Sequence, residues 1–265
     1  MVGRLAQAFA LAKDTRRLCF VPYVMAGDPD LETTEALIAA LSEAGADAIE
    51  LGIPYSDPLA DGPTIAAAGA RALANGTRLI DVLDLVRRCA AKSAPLLLFT
   101  YFNPVYRYGI ERFAQAIADA GAAGAIVPDL SLEESTELRG TLRAHDLEMP
   151  LLVAPSTTPG RAQRIADAAT GFVYVVSRLG VTGAGKTPNF APLKEQLRAL
   201  RALTVKPLAV GFGLSRAADV SEIAPFADGV VVGSALIDSY AGSRRAEAAR
   251  RATEFAAPLI GQARA

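Results

Sequence analysis

Apolar positions in this chain come in short continuous runs, and between the runs they recur every three to four residues. The runs lie at 18-24, 47-53, 95-101, 124-128, 150-154, 171-176, 206-210 and 229-232. Runs of this length, bounded by turn-forming residues, predict strands buried on both faces, as in a parallel sheet. The segments 31-44, 78-92, 110-120, 132-144, 161-169, 190-202 and 216-224 carry Ala and Leu at helical spacing, and a last helix is expected near 235-255. Asp30, Ser131 and Ser215 stand where a side-chain oxygen can cap the first free amides of a helix. Gly45, Gly121 and Gly124 fit the C-cap, which favours a left-handed backbone. Strand and helix alternate at about 30 residues per unit. Eight such units predict a closed (β/α)8 TIM barrel forming one domain over 1-265. A doubly wound sheet would want Gly-x-Gly-x-x-Gly after its first strand. Here that strand runs into Val24-Met25-Ala26-Gly27-Asp28-Pro29 instead. Ahead of it, Leu5, Phe9 and Ala12 predict a short amphipathic lid helix.

Composition narrows the function classes. The chain is 51% hydrophobic and 21% charged, which suits a packed core and argues against disorder. A net charge of -1 supplies no basic field for nucleic acid or an anionic membrane. No apolar run reaches the length of a bilayer span, and the first residues lack the apolar centre of a signal peptide, so a cytoplasmic protein is expected. Cys19 and Cys89 lie in or beside apolar runs and read as core residues. The single His, His145, falls at the far end of a helix, on the side away from the expected active face. Triads and multi-His metal sites are thereby excluded, and proton transfer must run through carboxylates or tyrosines.

The run at 47-53 contains a carboxylate. Its period of two places Ala48, Glu50 and Gly52 on one face and Ile49, Leu51 and Ile53 on the other. An unpaired buried charge is costly, but burial raises a carboxyl pKa toward the range in which an acid–base catalyst works. Asp61 follows in a loop rich in Gly and Pro, and two carboxylates over one cavity would separate into a proton donor and a stabilising anion. Asp61 also suits a turn or cap, and Asp57, between Ser56 and Pro58, reads as structural or as an interface residue. Tyr174, near the end of the sixth strand, could orient a carboxylate or simply fill the core. Tyr23, Leu98, Tyr101 and Phe212 would wall a flat apolar cavity.

Two glycine turns follow the seventh and eighth strands, at Gly211-Phe212-Gly213 and Gly233-Ser234. In barrels these loops commonly hold a phosphate on backbone amides. The stretch Gly180-Val181-Thr182-Gly183-Ala184-Gly185-Lys186-Thr187 satisfies the Walker A pattern. Pro188 follows at once, where the helix that a nucleotide loop needs would lose a ladder bond. A Gly-rich lid carrying Thr182 is the better reading.

These pieces resemble the alpha subunit family of tryptophan synthase. The likeness rests on Phe20-Val21-Pro22-Tyr23, Ala26-Gly27-Asp28-Pro29, the whole of 50-63, Val127-Pro128-Asp129-Leu130, Tyr174-Val175-Val176-Ser177-Arg178, Gly180-Val181-Thr182-Gly183 and Gly211-Phe212-Gly213. The resemblance implies retro-aldol cleavage of indole-3-glycerol phosphate to indole and D-glyceraldehyde 3-phosphate. It implies Glu50 as general acid–base, Asp61 on the indole N–H, Tyr174 steadying Glu50, and Thr182 closing on Asp61. The phosphate would rest on Gly183, Gly211, Gly213, Gly233 and Ser234. The family implies no cofactor in this subunit and a pyridoxal-phosphate beta subunit as partner, in an alpha-beta-beta-alpha assembly that docks on Pro54, Asp57 and Asp129. Tyr23 and Met25 depart from the commoner Phe and Thr of that family, and the lid has an unusual Gly-Lys-Thr-Pro-Asn form. Other enzyme readings are a barrel aldolase or isomerase on another phosphorylated substrate and a stand-alone indole-releasing lyase. Lys206 stands at the wrong end of its strand for a Schiff base. A non-catalytic barrel would have no need of both Glu50 and Asp61.

Overall fold

The computed structural model describes residues 2–177, 189–211 and 213–264. Eight strands form one parallel sheet: β1 (Cys19–Met25), β2 (Ile49–Gly52), β3 (Leu96–Phe99), β4 (Gly124–Ile126), β5 (Leu151–Val153), β6 (Val173–Val176), β7 (Leu208–Gly211) and β8 (Gly229–Val232). Their order is β4-β3-β2-β1-β8-β7-β6-β5. An isolated parallel bridge between Gly124 and Glu148, just ahead of β5, joins the two ends. The result is the expected eight-stranded barrel, nearly closed and wrapped in helices.

Gly124 does not cap a helix, as its place in the sequence suggests, but opens β4. A Cβ there would lie 1.8 Å from the Glu148 carbonyl oxygen, so only glycine lets the two backbones close the barrel. Gly45 and Gly121 do take the left-handed backbone at helix ends, with φ of 105° and 88°. Asp30 caps α2 (Leu31–Ala44) by accepting from the Thr33 amide at 2.7 Å. At α10 (Ala217–Ile223) the cap is not Ser215. Asp219 reaches back to the Ser215 and Arg216 amides. Ser131 binds the Glu134 amide in a turn, and the helix proper, α7 (Thr136–Ala144), begins later.

The N-terminal helix α1 (Arg4–Asp14) buries Leu5, Phe9 and Ala12, the expected stripe. Phe9 stacks 5.0 Å from Phe172 and lies where a Cβ on Gly229 would meet it. Both contacts are at the starts of strands, so this lid plugs the floor of the barrel and leaves the mouth open. Buried Glu148 fixes it by accepting from the Leu5 and Ala6 amides at 2.7 and 3.1 Å.

Two helices follow strands in stretches for which the apolar spacing predicts no helix. Within 54-77 lies α3 (Pro63–Ala74), with Pro63 in its first turn and Ile65, Ala68, Gly69 and Ala72 buried. Small residues at these positions make a weak apolar stripe, which hides the helix from periodicity. Directly after β3 comes α5 (Phe102–Tyr108). The last expected helix is two, α11 (Ser234–Tyr240) and α12 (Arg245–Ala263).

Candidate active site

In parallel neighbours, directly paired residues share a face of the sheet. Tyr23 of β1 pairs with Glu50 of β2, and Glu50 pairs on its other side with Leu97 of β3. Glu50 acts electrostatically on both Tyr23 and Tyr174, whose strands lie at separate places around the barrel. Only an inward carboxyl can do so, and the inward face read from the alternation is therefore correct.

Glu50 is 1% exposed, and its Oε1 has no hydrogen-bond partner among the described residues. Burial alone pushes its pKa from 4.5 up to about 8. Asp61 sits in the turn after β2, where its amide donates to the Pro58 carbonyl at 3.1 Å. Burial raises its pKa from 3.8 to about 6, against a hydrogen bond from the Tyr101 hydroxyl that holds it down. The Tyr101 Oη also accepts from the Ala60 amide at 3.0 Å. One phenol thus ties the Asp61 loop to the end of β3. At neutral pH the pair divides: Glu50 keeps its proton and Asp61 is ionised.

Two absent side chains make room for phenols on the inward face. A Cβ on Gly52 would lie 2.1 Å from the Tyr23 Oη, and one on Gly211 would lie 2.1 Å from the Tyr174 Oη. Each phenol leans into space that its neighbouring strand leaves empty. Tyr174 is buried beside Phe172, at 6.2 Å between ring centroids, and lies within electrostatic reach of Glu50. Tyr23 meets Phe99 edge-on at 5.8 Å.

On the neighbouring strands β7 and β8, Gly211 ends β7 and Gly213 follows with φ of 84°. Gly233 precedes α11 and Ser234 opens it. These four residues therefore gather at the carboxyl end of adjacent strands, beside the mouth that Tyr23 and Glu50 face. Thr182, Gly183, Phe212 and the Walker-like stretch lie outside the described residues.

Leu98 does not wall this cavity. It pairs with Leu51 and Ala125, on the face opposite Glu50, and is buried against the outer layer. The wall position on β3 is Phe99, which pairs with Gly52. Alternation along β3 alone could not reveal this, because the parity of one strand says nothing about the next until register is known. Tyr101 reads from the sequence as wall alone, and its grip on Asp61 across 40 positions leaves no local trace.

Asp57 is exposed and accepts from the Ser56 hydroxyl at 2.5 Å. Pro54 is buried. Asp129 accepts from the Phe102 amide at 2.9 and 3.2 Å, capping α5, and burial raises its pKa. His145 ends α7 at the floor of the barrel, 2.9 Å from Glu111. Among the described residues no group of three or more His, Cys, Asp or Glu could hold a metal ion.

The profile of the family described as Tryptophan synthase alpha chain matches residues 9–262. The chain is 48% identical over 259 residues to a protein of that name from Gloeobacter violaceus, covering 97% of this chain and 94% of the relative. It is 42% identical over 253 residues to one from Arabidopsis thaliana, covering 95% and 92%. Among solved structures it is similar to a chain of Mycobacterium tuberculosis tryptophan synthase, with a TM-score of 0.92 at 37% identity and full coverage of both. It is likewise similar to tryptophan synthase subunit alpha from Legionella pneumophila, with a TM-score of 0.88 at 34% identity over 99% and 98%.

Proposed function

The chain belongs to the tryptophan synthase alpha chain family and cleaves indole-3-glycerol phosphate to indole and D-glyceraldehyde 3-phosphate, and we propose that Glu50 and Asp61 divide that reaction between them. Glu50, protonated at neutral pH, gives its proton to indole C3. Positive charge then spreads to the ring nitrogen, where ionised Asp61 accepts the N–H and stabilises it. The Glu50 carboxylate next takes the proton of the glyceryl hydroxyl beside C3. The carbon–carbon bond breaks, its electron pair restores the aromatic ring, and the aldehyde leaves. Glu50 ends protonated, as it began. What carries this reading is an unpartnered buried carboxyl on β2 and a second carboxyl from the loop after it, both within electrostatic reach of the Tyr23 phenol.

The phosphate tail would lie on the amides of Gly211, Gly213, Gly233 and Ser234, with Gly183 from outside the described residues. Tyr174 would steady Glu50, Tyr23, Tyr101 and Phe212 would wall the ring, and Thr182 would close on Asp61. Phe99 takes the wall position expected of Leu98. A pyridoxal-phosphate beta subunit would dock on the mouth side, in an alpha-beta-beta-alpha assembly, and receive the indole. The rim there carries exposed Leu59 and Asp57 and a hollow of about 430 Å³ lined by Phe102, Asn103, Tyr106, Asp129, Leu130 and Glu134. Its mixture of aromatic and acidic groups suits a protein contact. Both the substrate and the product aldehyde are phosphate esters, so the cytoplasm is the proposed compartment. The test is indole formation from indole-3-glycerol phosphate with and without purified beta subunit. Cleavage that the beta subunit accelerates is expected, and an inert chain would refute the assignment.

A further inference from the structure

Tyr23 spans the distance between the two halves of the site. Its Cβ lies 3.5 Å from where Gly233 would carry one, at the β8 turn. Its Oη lies 2.1 Å from where Gly52 would carry one, at the top of β2. Gly52 is two residues beyond Glu50 on the same face, so the hydroxyl sits between Glu50 and the mouth. The ring is fixed there by the edge of Phe99. Among the described residues this hydroxyl makes no hydrogen bond, and it lies within electrostatic reach of both Asp61 and Glu50. The Tyr23 side chain thus runs from the β8 glycine turn to the top of β2, the strand that carries Glu50.

We propose that the Tyr23 hydroxyl is a substrate-positioning group, hydrogen-bonding the glyceryl oxygen whose proton Glu50 removes. This rests on the reading of Glu50 given above. A phenylalanine here would supply the same wall and leave that oxygen to Glu50 alone. With the phenol, the oxygen has two partners on adjacent strands, and its hydroxyl hydrogen is turned toward the carboxylate.

Tyr23→Phe removes one atom and keeps the ring packing. The expected result is a fall of about tenfold in kcat/KM for indole-3-glycerol phosphate, the loss of one neutral hydrogen bond made to the reacting group. Affinity for 3-indolylpropyl phosphate, which keeps ring and phosphate but lacks the glyceryl hydroxyls, should stay within about twofold. Unchanged kcat/KM overturns the proposal. An equal loss of affinity for the propyl analogue also overturns it, by showing that Tyr23 acts through packing. A wild-type chain that releases no indole would fail the functional reading itself, and this one with it.

Discussion

Glu50→Gln should stabilise the protein while it abolishes turnover, and the stabilisation should depend on pH in a calculable way. The folded carboxyl titrates at about 8, against 4.5 for its ordinary value. Between those pH values the folded state holds a proton that the unfolded state has lost. Stability is therefore full below pH 4.5 and declines by about 1.4 kcal/mol per pH unit as pH rises toward 8. Glutamine is a neutral near-isostere of the protonated acid and does not titrate. At pH 7 the variant should exceed wild type by roughly 3 kcal/mol, which for a chain of this size raises Tm by roughly 8 °C. Below pH 4.5 the two should coincide. Urea unfolding and thermal melts across pH 5 to 8 read the slope directly. Two parallel stability curves, or a variant less stable than wild type at pH 7.5, would refute the claim that Glu50 is buried without a partner.

The pH dependence of kcat/KM should be bell-shaped, with an acid limb near the Asp61 value of about 6 and an alkaline limb near the Glu50 value of about 8. Stopped indole-release assays would show it, and Tyr101→Phe should move only the acid limb, to higher pH, because the hydroxyl holds Asp61 down. Asp61→Asn should lower kcat on the order of a hundredfold or more with the phosphate-tailed ligand still bound, as kinetics and calorimetric titration together would reveal. Arg71→Ala strips the forked bond from buried Asp28, made at 2.7 and 2.8 Å, and should cost roughly 2 kcal/mol in urea unfolding. Lysine at that position should recover only part, since it lacks the fork.

The strands are legible in the sequence because each is buried on both faces. A short unbroken apolar run bounded by turn residues has little else to form. Glu50 is legible for the same reason, as the one charge in the interior of such a run, since Asp47 and Lys206 stand at run ends. What the sequence hides, it hides for want of three-dimensional register. Leu98 and Phe99 are both apolar and adjacent, and only the pairing of Phe99 with Gly52 tells the wall residue from its neighbour. The helix α3 escapes detection because its buried positions are mostly Ala and Gly, whose small side chains pack closely without marking a stripe. Gly124 misleads because a glycine after a helix and a glycine at a close backbone approach look alike in one dimension. The bond between Tyr101 and Asp61 joins residues from different units, and no local pattern encodes it.

Four carboxyl side chains are buried among the described residues: Asp28, Glu50, Glu148 and Asp219. Three of them are spent on structure. Asp28 is forked by Arg71. Glu148 is raised by burial but opposed by the Leu5 and Ala6 amides it caps. Burial also pushes Asp219 up, and Arg216 with the Ser215 and Arg216 amides outweighs it, leaving the pKa lowered. A cation or donating amides at position 50 would stabilise the anion and draw the carboxyl down from the neutral range. Glu50 alone has no cation or amide, and its neighbours on the inward face are phenols, a glycine and Leu97. A partner would make the protein more stable and the carboxyl useless as a proton donor. The few kcal/mol forgone at neutral pH is thus the direct physical consequence of holding a proton where indole C3 can take it. The barrel can bear that loss because the same inward face is backed by eight paired strands.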